Sequence, residues 1–302
     1  MQPIESSLFP ELEQLEKENL IIVGNGFDIA HGIKSRYSDF RKWLGSQKHV
    51  NLIRLMDIFF SNQRDVWSDL EVALGEYDEK SILSFCRPDE EFDLDHSLSS
   101  ATRIEDSPMA IFQPMLRDFK EYFKEWVSSI EIEGIEKFIP LSTQCKYLSF
   151  NYTDTLESVY KIPADNIVHI HGSRLLKDEF VIGHNKYRNP SDVWSNESII
   201  FESQAMENII NWMNDFVKDY KGNIGKYHTF FAQLASIKQV VVYGHSMNEI
   251  DWPYFEEIIN FSGNDIPWRV SYFSVTDINN INKFQSKYKL TKLSKFSIND
   301  NK

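Results

Sequence analysis

Residues 20–41 read LIIVGNGFDIAHGIKSRYSDFR. Leu20 to Val23 are all apolar, as a central parallel strand covered on both faces requires, and Gly24 and Gly26 follow at once. Such a turn lets backbone N–H groups approach a phosphate without interference from a Cβ, above all where a helix begins just beyond it. The spacing of Gly24, Gly26 and Gly32 departs from the dinucleotide fingerprint G-x-G-x-x-G. Two glycines that merely turn a strand into a helix are an equally simple reading, so the rest of the chain has to decide.

The length of 302 residues allows two domains, although a single α/β domain with insertions reaches this size. The expected organisation is one α/β domain over 1–302 with a helical insertion over approximately 50–135. Hydrophobic residues make up 42% and charged residues 25%, enough for an ordinary globular core. A net charge of -13 argues against general nucleic-acid binding, which needs a basic surface to neutralise phosphates. The cysteines, Cys86 and Cys145, form neither a C-x-x-C pair nor a disulfide framework, which suits a reducing cytoplasm. The first twenty residues lack the basic and apolar regions of a secretory signal. No apolar run approaches the ~18 residues that span a bilayer, so neither secretion nor membrane insertion is expected.

Apolar spacing predicts helices over 37–44, 51–61, 65–85 with a break near Gly75, 108–129, 203–221 and 225–236. Strand character is found at 146–150, 166–171, 179–182, 238–243 and 269–275. Residues 89–106 read as a polar surface loop, and the Lys- and Asn-rich tail from about Lys283 reads as peripheral. Strands alternating with helices predict an open, mostly parallel, doubly wound sheet. In such sheets ligands bind beyond the carboxyl ends of the strands. Four strand ends carry polar or glycine residues there: Gly24-Asn25-Gly26, Asn151-Tyr152-Thr153-Asp154, His171-Gly172-Ser173 and Gly244-His245-Ser246.

Asn151 offers a carbonyl acceptor and an amide donor suited to ribose hydroxyls or a water, or an Asx turn. His171 is suited to general-base work, or to donating to a carbonyl in the core. His169 is expected to face away from His171 and is left structural. His184 and His245 are second-tier candidates, and Asp28, His31, Glu71 and Asp251 are further groups that could reach the site. Glu71 lies one helical turn from Trp67 and reads as a solvated acid at a core edge. None of these residues has the spacing of H-E-x-x-H, paired-cysteine or EF-hand sites, so no metal is expected.

Several separated segments resemble, in order, the abortive-infection AbiH family of bacterial anti-phage proteins. They are VGNGFDIAHGIKSRYSDF at 23–40, WSDLE at 67–71, SFNYTDTLE at 149–157, HIHG at 169–172, VIGHN at 181–185 and YGHSMNEIDWPYF at 243–255. The chain is also distantly similar to sirtuin-like NAD-binding domains, whose Gly-Ala-Gly turn and later Gly-Ile-Pro match Gly24-Asn25-Gly26 and Gly32-Ile33, with Lys34 in place of proline. Segments at 150–154, 171–173 and 243–246, with Asp251 following, resemble those of phage-defence NAD hydrolases.

The resemblance implies a sirtuin-like Rossmann variant and an NAD(P)-type glycohydrolase, with NAD or a related nucleotide as ligand and substrate. By that resemblance Asn151 and His171 are the catalytic pair. Gly24, Asn25, Gly26, Phe27, Asp28, His31, Gly172, Ser173, Gly244, His245, Ser246 and Asp251 line the nucleotide. No paired-cysteine zinc module is present, which argues against an ordinary sirtuin deacetylase, and Asp28 stands where sirtuins carry a small hydroxyl residue. A phage-derived trigger or partner protein and a homo-oligomer are the associations expected. Two other readings stay open: a metal-dependent nuclease or phosphoesterase using Asp28, His31, Glu71, His184, His245 and Asp251, and a non-catalytic sensor of a nucleotide or phage protein.

Overall fold

A computed structural model describes residues 18–60, 65–87, 97–176, 179–194 and 200–298. Six strands, β1 (Asn19–Val23), β2 (Lys146–Ser149), β3 (Ile167–His169), β4 (Gln239–Tyr243), β5 (Trp268–Tyr272) and β6 (Leu293–Ser297), form one sheet in the order β3-β2-β1-β4-β5-β6. Every neighbouring pair is parallel. The helices among the described residues are α1 (Asn25–Ala30), α2 (Tyr37–Ser46), α3 (Val50–Phe60), α4 (Leu70–Gly75), α5 (Glu79–Cys86), α6 (Ser97–Ser129), α7 (Thr155–Ser158), α8 (Ile200–Asn214), α9 (Tyr220–Lys226), α10 (His228–Gln233), α11 (Trp252–Ser262) and α12 (Val275–Tyr288). The chain divides into two compact units, one of residues 1–36, 127–181 and 219–302, the other of 37–126 and 182–218.

The sheet lies in the first unit, and its central strands carry the apolar runs Leu20–Val23 and Val240–Tyr243 because both faces are covered there. Leu20 and Ile22 join Leu148, Val240, Val242 and Val270 in one layer, closed by Phe231, Phe255, Ile258, Ile281 and Phe284 from α10, α11 and α12. Ile21 and Val23 point the other way and pack with Tyr147, Val241, Tyr243, Phe27, Leu156 and Tyr160. Burying each such aliphatic side chain contributes about 1.5–3 kcal/mol. The strand order reverses between β1 and β4, which makes their carboxyl ends the topological switch point of the sheet.

At that point the turns after β1 and β4 lock together. Gly24 N–H donates to the Tyr243 carbonyl at 2.9 Å, and Gly26 N–H to the Gly244 carbonyl at 2.7 Å. Gly244 has a φ of 64°, and its N–H donates to Ser271 Oγ at 2.7 Å. A Cβ on Gly244 would lie 2.0 Å from the Phe27 nitrogen, and one on Gly26 would lie 2.8 Å from Gly244 Cα. The glycines of 24–26 are therefore required by a second turn of the same chain. Their N–H groups at 24 and 26 are already donated, so a phosphate anchored on those two amides is not what this turn provides.

The second unit is held by aromatic packing. Phe40 meets Trp126, Phe123, Trp67 and Phe119 with ring centroids 5.1, 5.4, 6.0 and 6.1 Å away, and Lys218, whose side chain is fully buried, pairs with Glu71 at 2.9 Å.

Four expectations from the sequence need correcting. Residues 179–182 form no strand; Val181 makes a single bond from its N–H to the His171 carbonyl at 2.9 Å. The tail read as peripheral supplies edge strand β6, because an edge position with one half-covered face tolerates the polar Ser294, Lys295 and Ser297. The helix expected from Pro108 begins at Ser97, with Pro108 and Pro114 inside it; a proline that suits a first helical turn is not proof of one. The single helix expected over 203–221 is two, α8 ending at Asn214 and α9 starting behind the Asp219 cap.

Gly244→Ala is expected to lower the melting temperature by at least about 5 °C, since the new Cβ meets main chain that cannot yield. Gly225→Ala, placed in α9 with nothing within 4 Å, should leave it unchanged or raise it slightly. Thermal unfolding followed by circular dichroism distinguishes the two.

Candidate functional site

The carboxyl ends of β1, β2, β3 and β4 are neighbours in the sheet, so residues distant in sequence gather along one edge. From α1, beyond β1, comes Asp28, only 1% exposed. Thr153, just past β2, donates its hydroxyl to Asp28 Oδ2 at 2.5 Å, and Thr155 donates in turn to Thr153 at 3.2 Å. The other carboxyl oxygen, Asp28 Oδ1, and the Asn151 side-chain oxygen are both buried without a hydrogen-bond partner. Buried acceptors are almost always satisfied. The two orphans lie just beyond the ends of adjacent strands, β1 and β2.

Burial pushes the Asp28 carboxyl up from 3.8 to about 6, against the opposing influence of Thr153, Thr155, Asn151 and the charge of Arg174. Arg174 is itself tied to Asp154 and to the Ile130 carbonyl, which holds its charge in place behind the β2 and β3 ends.

The second cluster lies at the ends of β3 and β4. His171 Nε2 is 3.4 Å from Asp251 Oδ1, and His245 Nε2 is 3.3 Å from Asp251 Oδ2. All three residues are less than a tenth exposed. Phe150, the residue before Asn151, stands edge-on to both rings, with centroids 5.1 Å from His171 and 4.4 Å from His245. Gly172 has a φ of 85° and turns the chain directly after His171.

Other expected residues serve the fold. Phe27 packs on the opposite sheet face with Tyr243 and Tyr160. His31 closes α1, donating from Nδ1 to the Phe27 carbonyl at 2.7 Å and accepting from the Tyr160 hydroxyl at 2.6 Å; both ring nitrogens are engaged, so it is not presented to a ligand. Asn25 is exposed and ties down the following loop, donating to the Ser35 carbonyl at 2.9 Å and accepting from the Ser35 hydroxyl at 2.5 Å. Ser173 is fully buried and accepts from Leu175 N–H at 3.3 Å. Ser246 is exposed, and its carbonyl accepts from Asn280 at 3.0 Å.

His169 does diverge from His171, bonding Glu157 at 2.8 Å and the Asn151 carbonyl at 3.1 Å. Alternation is not the cause, since residues two apart on a strand share a face; β3 ends at His169, and His171 lies in the turn beyond. Glu71 and His184 belong to the second unit. His184 donates to the Met213 carbonyl at 3.1 Å and accepts from Lys186 N–H at 3.2 Å, and burial lowers it to about 4. Among the described residues no group of three or more His, Cys, Asp and Glu is arranged to hold a metal ion, and no helix is long and apolar enough to cross a membrane.

The sequence profile described as "Bacteriophage abortive infection AbiH" matches residues 20–272. The chain belongs to the AbiH family. Its setting is therefore abortive infection, an anti-phage defence. The matched span runs from the first residues of β1 to the end of β5 and contains both polar clusters of this AbiH chain. No curated protein and no solved structure matches it. Thr153 and Thr155, which the sequence did not single out, complete the Asp28 cluster; their position beside Asn151 in NYTDT was the available signal.

Because the folded value of Asp28 lies above its ordinary one, protonation of this group favours the fold. That contribution is complete below 3.8 and is lost as the pH rises through about 6. Asp28→Asn should melt about 5 °C above the wild type at alkaline pH, with the difference closing in acid. A Tm difference that does not change with pH would refute the assignment.

Proposed function

We propose that this AbiH protein cleaves the N-glycosidic bond of NAD or a related nucleotide, so that abortive infection follows from loss of a cofactor. The observation that carries this reading is the pair of buried, unpartnered acceptors, Asp28 Oδ1 and Asn151 Oδ1, beyond the ends of β1 and β2, the latter pairing with β3, after which His171 lies. Acceptors without donors fit the hydroxyls of a ribose and a water, each of which brings O–H groups.

In the reaction the bond between ribose C1′ and the nicotinamide nitrogen breaks, and the base leaves with the electron pair. The ribose passes through an oxocarbenium-like state that buried oxygens stabilise better than water does. A water held at Asn151 adds to C1′, and His171 accepts its proton. Support is concentrated at the ribose end: Gly24 and Gly26 donate their N–H groups to the β4 turn, so the glycine turn shapes the edge without anchoring the pyrophosphate. A carboxylate at 28 beside a pyrophosphate would repel it, which favours the sugar as the neighbour of Asp28.

Incubation of the pure protein with NAD, NADP, ATP and RNA, followed by mass spectrometry, should show nicotinamide and ADP-ribose from NAD. Asn151→Ala and His171→Gln should each reduce nicotinamide release by about 10²-fold or more with an unchanged circular dichroism spectrum. Retained turnover in both variants would refute these roles, and products from RNA alone would refute the substrate class.

A further inference from the structure

The turn from β4 into α11 is more closely constrained than chain reversal requires. Gly244 and Met247 both have left-handed backbones, with φ of 64° and 53°, although Met247 carries a side chain and is fully buried. Left-handed non-glycine residues are uncommon and persist where their surroundings enforce them. Here Met247 N–H is brought to His245 Nδ1 at 3.0 Å, while the Met247 carbonyl accepts from Trp252 Nε1 at 3.0 Å. Asp251 is fixed in the same turn by its N–H, which donates to the Asn248 carbonyl at 3.1 Å.

These contacts determine where protons lie. A backbone N–H only donates, so His245 Nδ1 is an acceptor and the proton of the neutral ring is on Nε2. That nitrogen faces Asp251 Oδ2. A carboxylate only accepts, so the His171 Nε2 facing Oδ1 also carries hydrogen. The Phe150 ring, set at 87° to His171 and 65° to His245, packs against both imidazoles.

We propose that Asp251 and His245 are positioning residues for His171. His245 anchors the carboxylate from one side, and the carboxylate holds the His171 ring in the tautomer with hydrogen on Nε2 and the lone pair on Nδ1. The nitrogen that receives a proton is then Nδ1. Taken with the reaction above, on which the catalytic part of this inference rests, the water adding to C1′ gives its proton to Nδ1. Nε2 keeps its own hydrogen, Asp251 stays a carboxylate, and its charge stabilises the imidazolium that forms.

Long-range ¹H–¹⁵N spectra of the full-length protein with ¹⁵N-histidine report the tautomer of each ring, with His171 assigned by its loss in His171→Gln. At about pH 8, above the ordinary histidine range, the wild-type His171 should be protonated on Nε2 only. Asp251→Ala and His245→Leu should convert it to a mixture of tautomers. His245→Gln, which keeps an N–H near the same point, should restore the wild-type form. Hydrogen on Nδ1 in the wild type, or a ring unchanged by Asp251→Ala, overturns the proposal. The expected tautomers in a protein that releases no nicotinamide from NAD would count against the substrate assignment and leave the positioning roles standing.

Discussion

The closure of the β1 turn upon the β4 turn is the constraint from which the rest of the site follows. Two N–H···O=C bonds and a left-handed glycine bring two main chains so close that a Cβ on either side would collide with backbone. This contact sits at the switch point of a doubly wound sheet, where a crevice for a ligand would ordinarily open. Closing it there moves the polar groups toward the β2 and β3 ends. Asp28 leaves the first turn through α1 toward Thr153, and His245 leaves the other toward Asp251.

Two buried carboxyl groups result, and their surroundings give them different chemistry. Asp28 has one oxygen satisfied by a threonine hydroxyl and one with no partner; burial dominates and raises its pKa. Asp251 faces an imidazole at each oxygen. In an AbiH protein acting on a nucleotide, the first would meet a sugar and the second would hold a base in register.

The fold was legible wherever apolar runs were long and buried on both faces. LIIV at 20–23 and VVVY at 240–243 admit little else than central strands. What escaped was marginal by hydrophobicity: β6, whose Lys295 and Ser294 are exposed at a sheet edge, and α12, whose polar face hid the helix although Ser274 and Asp277 form a capping box at its start. The site was half legible. Residue types at strand ends pointed to one edge of the sheet, along which the structure gathers them, but local sequence could not tell a glycine needed by a ligand from one needed by another turn. Nor could it show that Tyr160, far along the chain, occupies the second nitrogen of His31. Those distinctions depend on contacts more than a hundred residues apart, where only the folded chain decides.

The central claim is that the edge formed by Asn151, Asp28 and His171 receives a ribose. A crystal structure of the His171→Gln variant with NAD at saturating concentration tests it most directly. The expected result is the nicotinamide ribose with its hydroxyls on Asp28 Oδ1 and the Asn151 side-chain oxygen, and its C1′ facing position 171. A nucleotide bound elsewhere on the protein, or ordered water satisfying both oxygens with no nucleotide present, would contradict it.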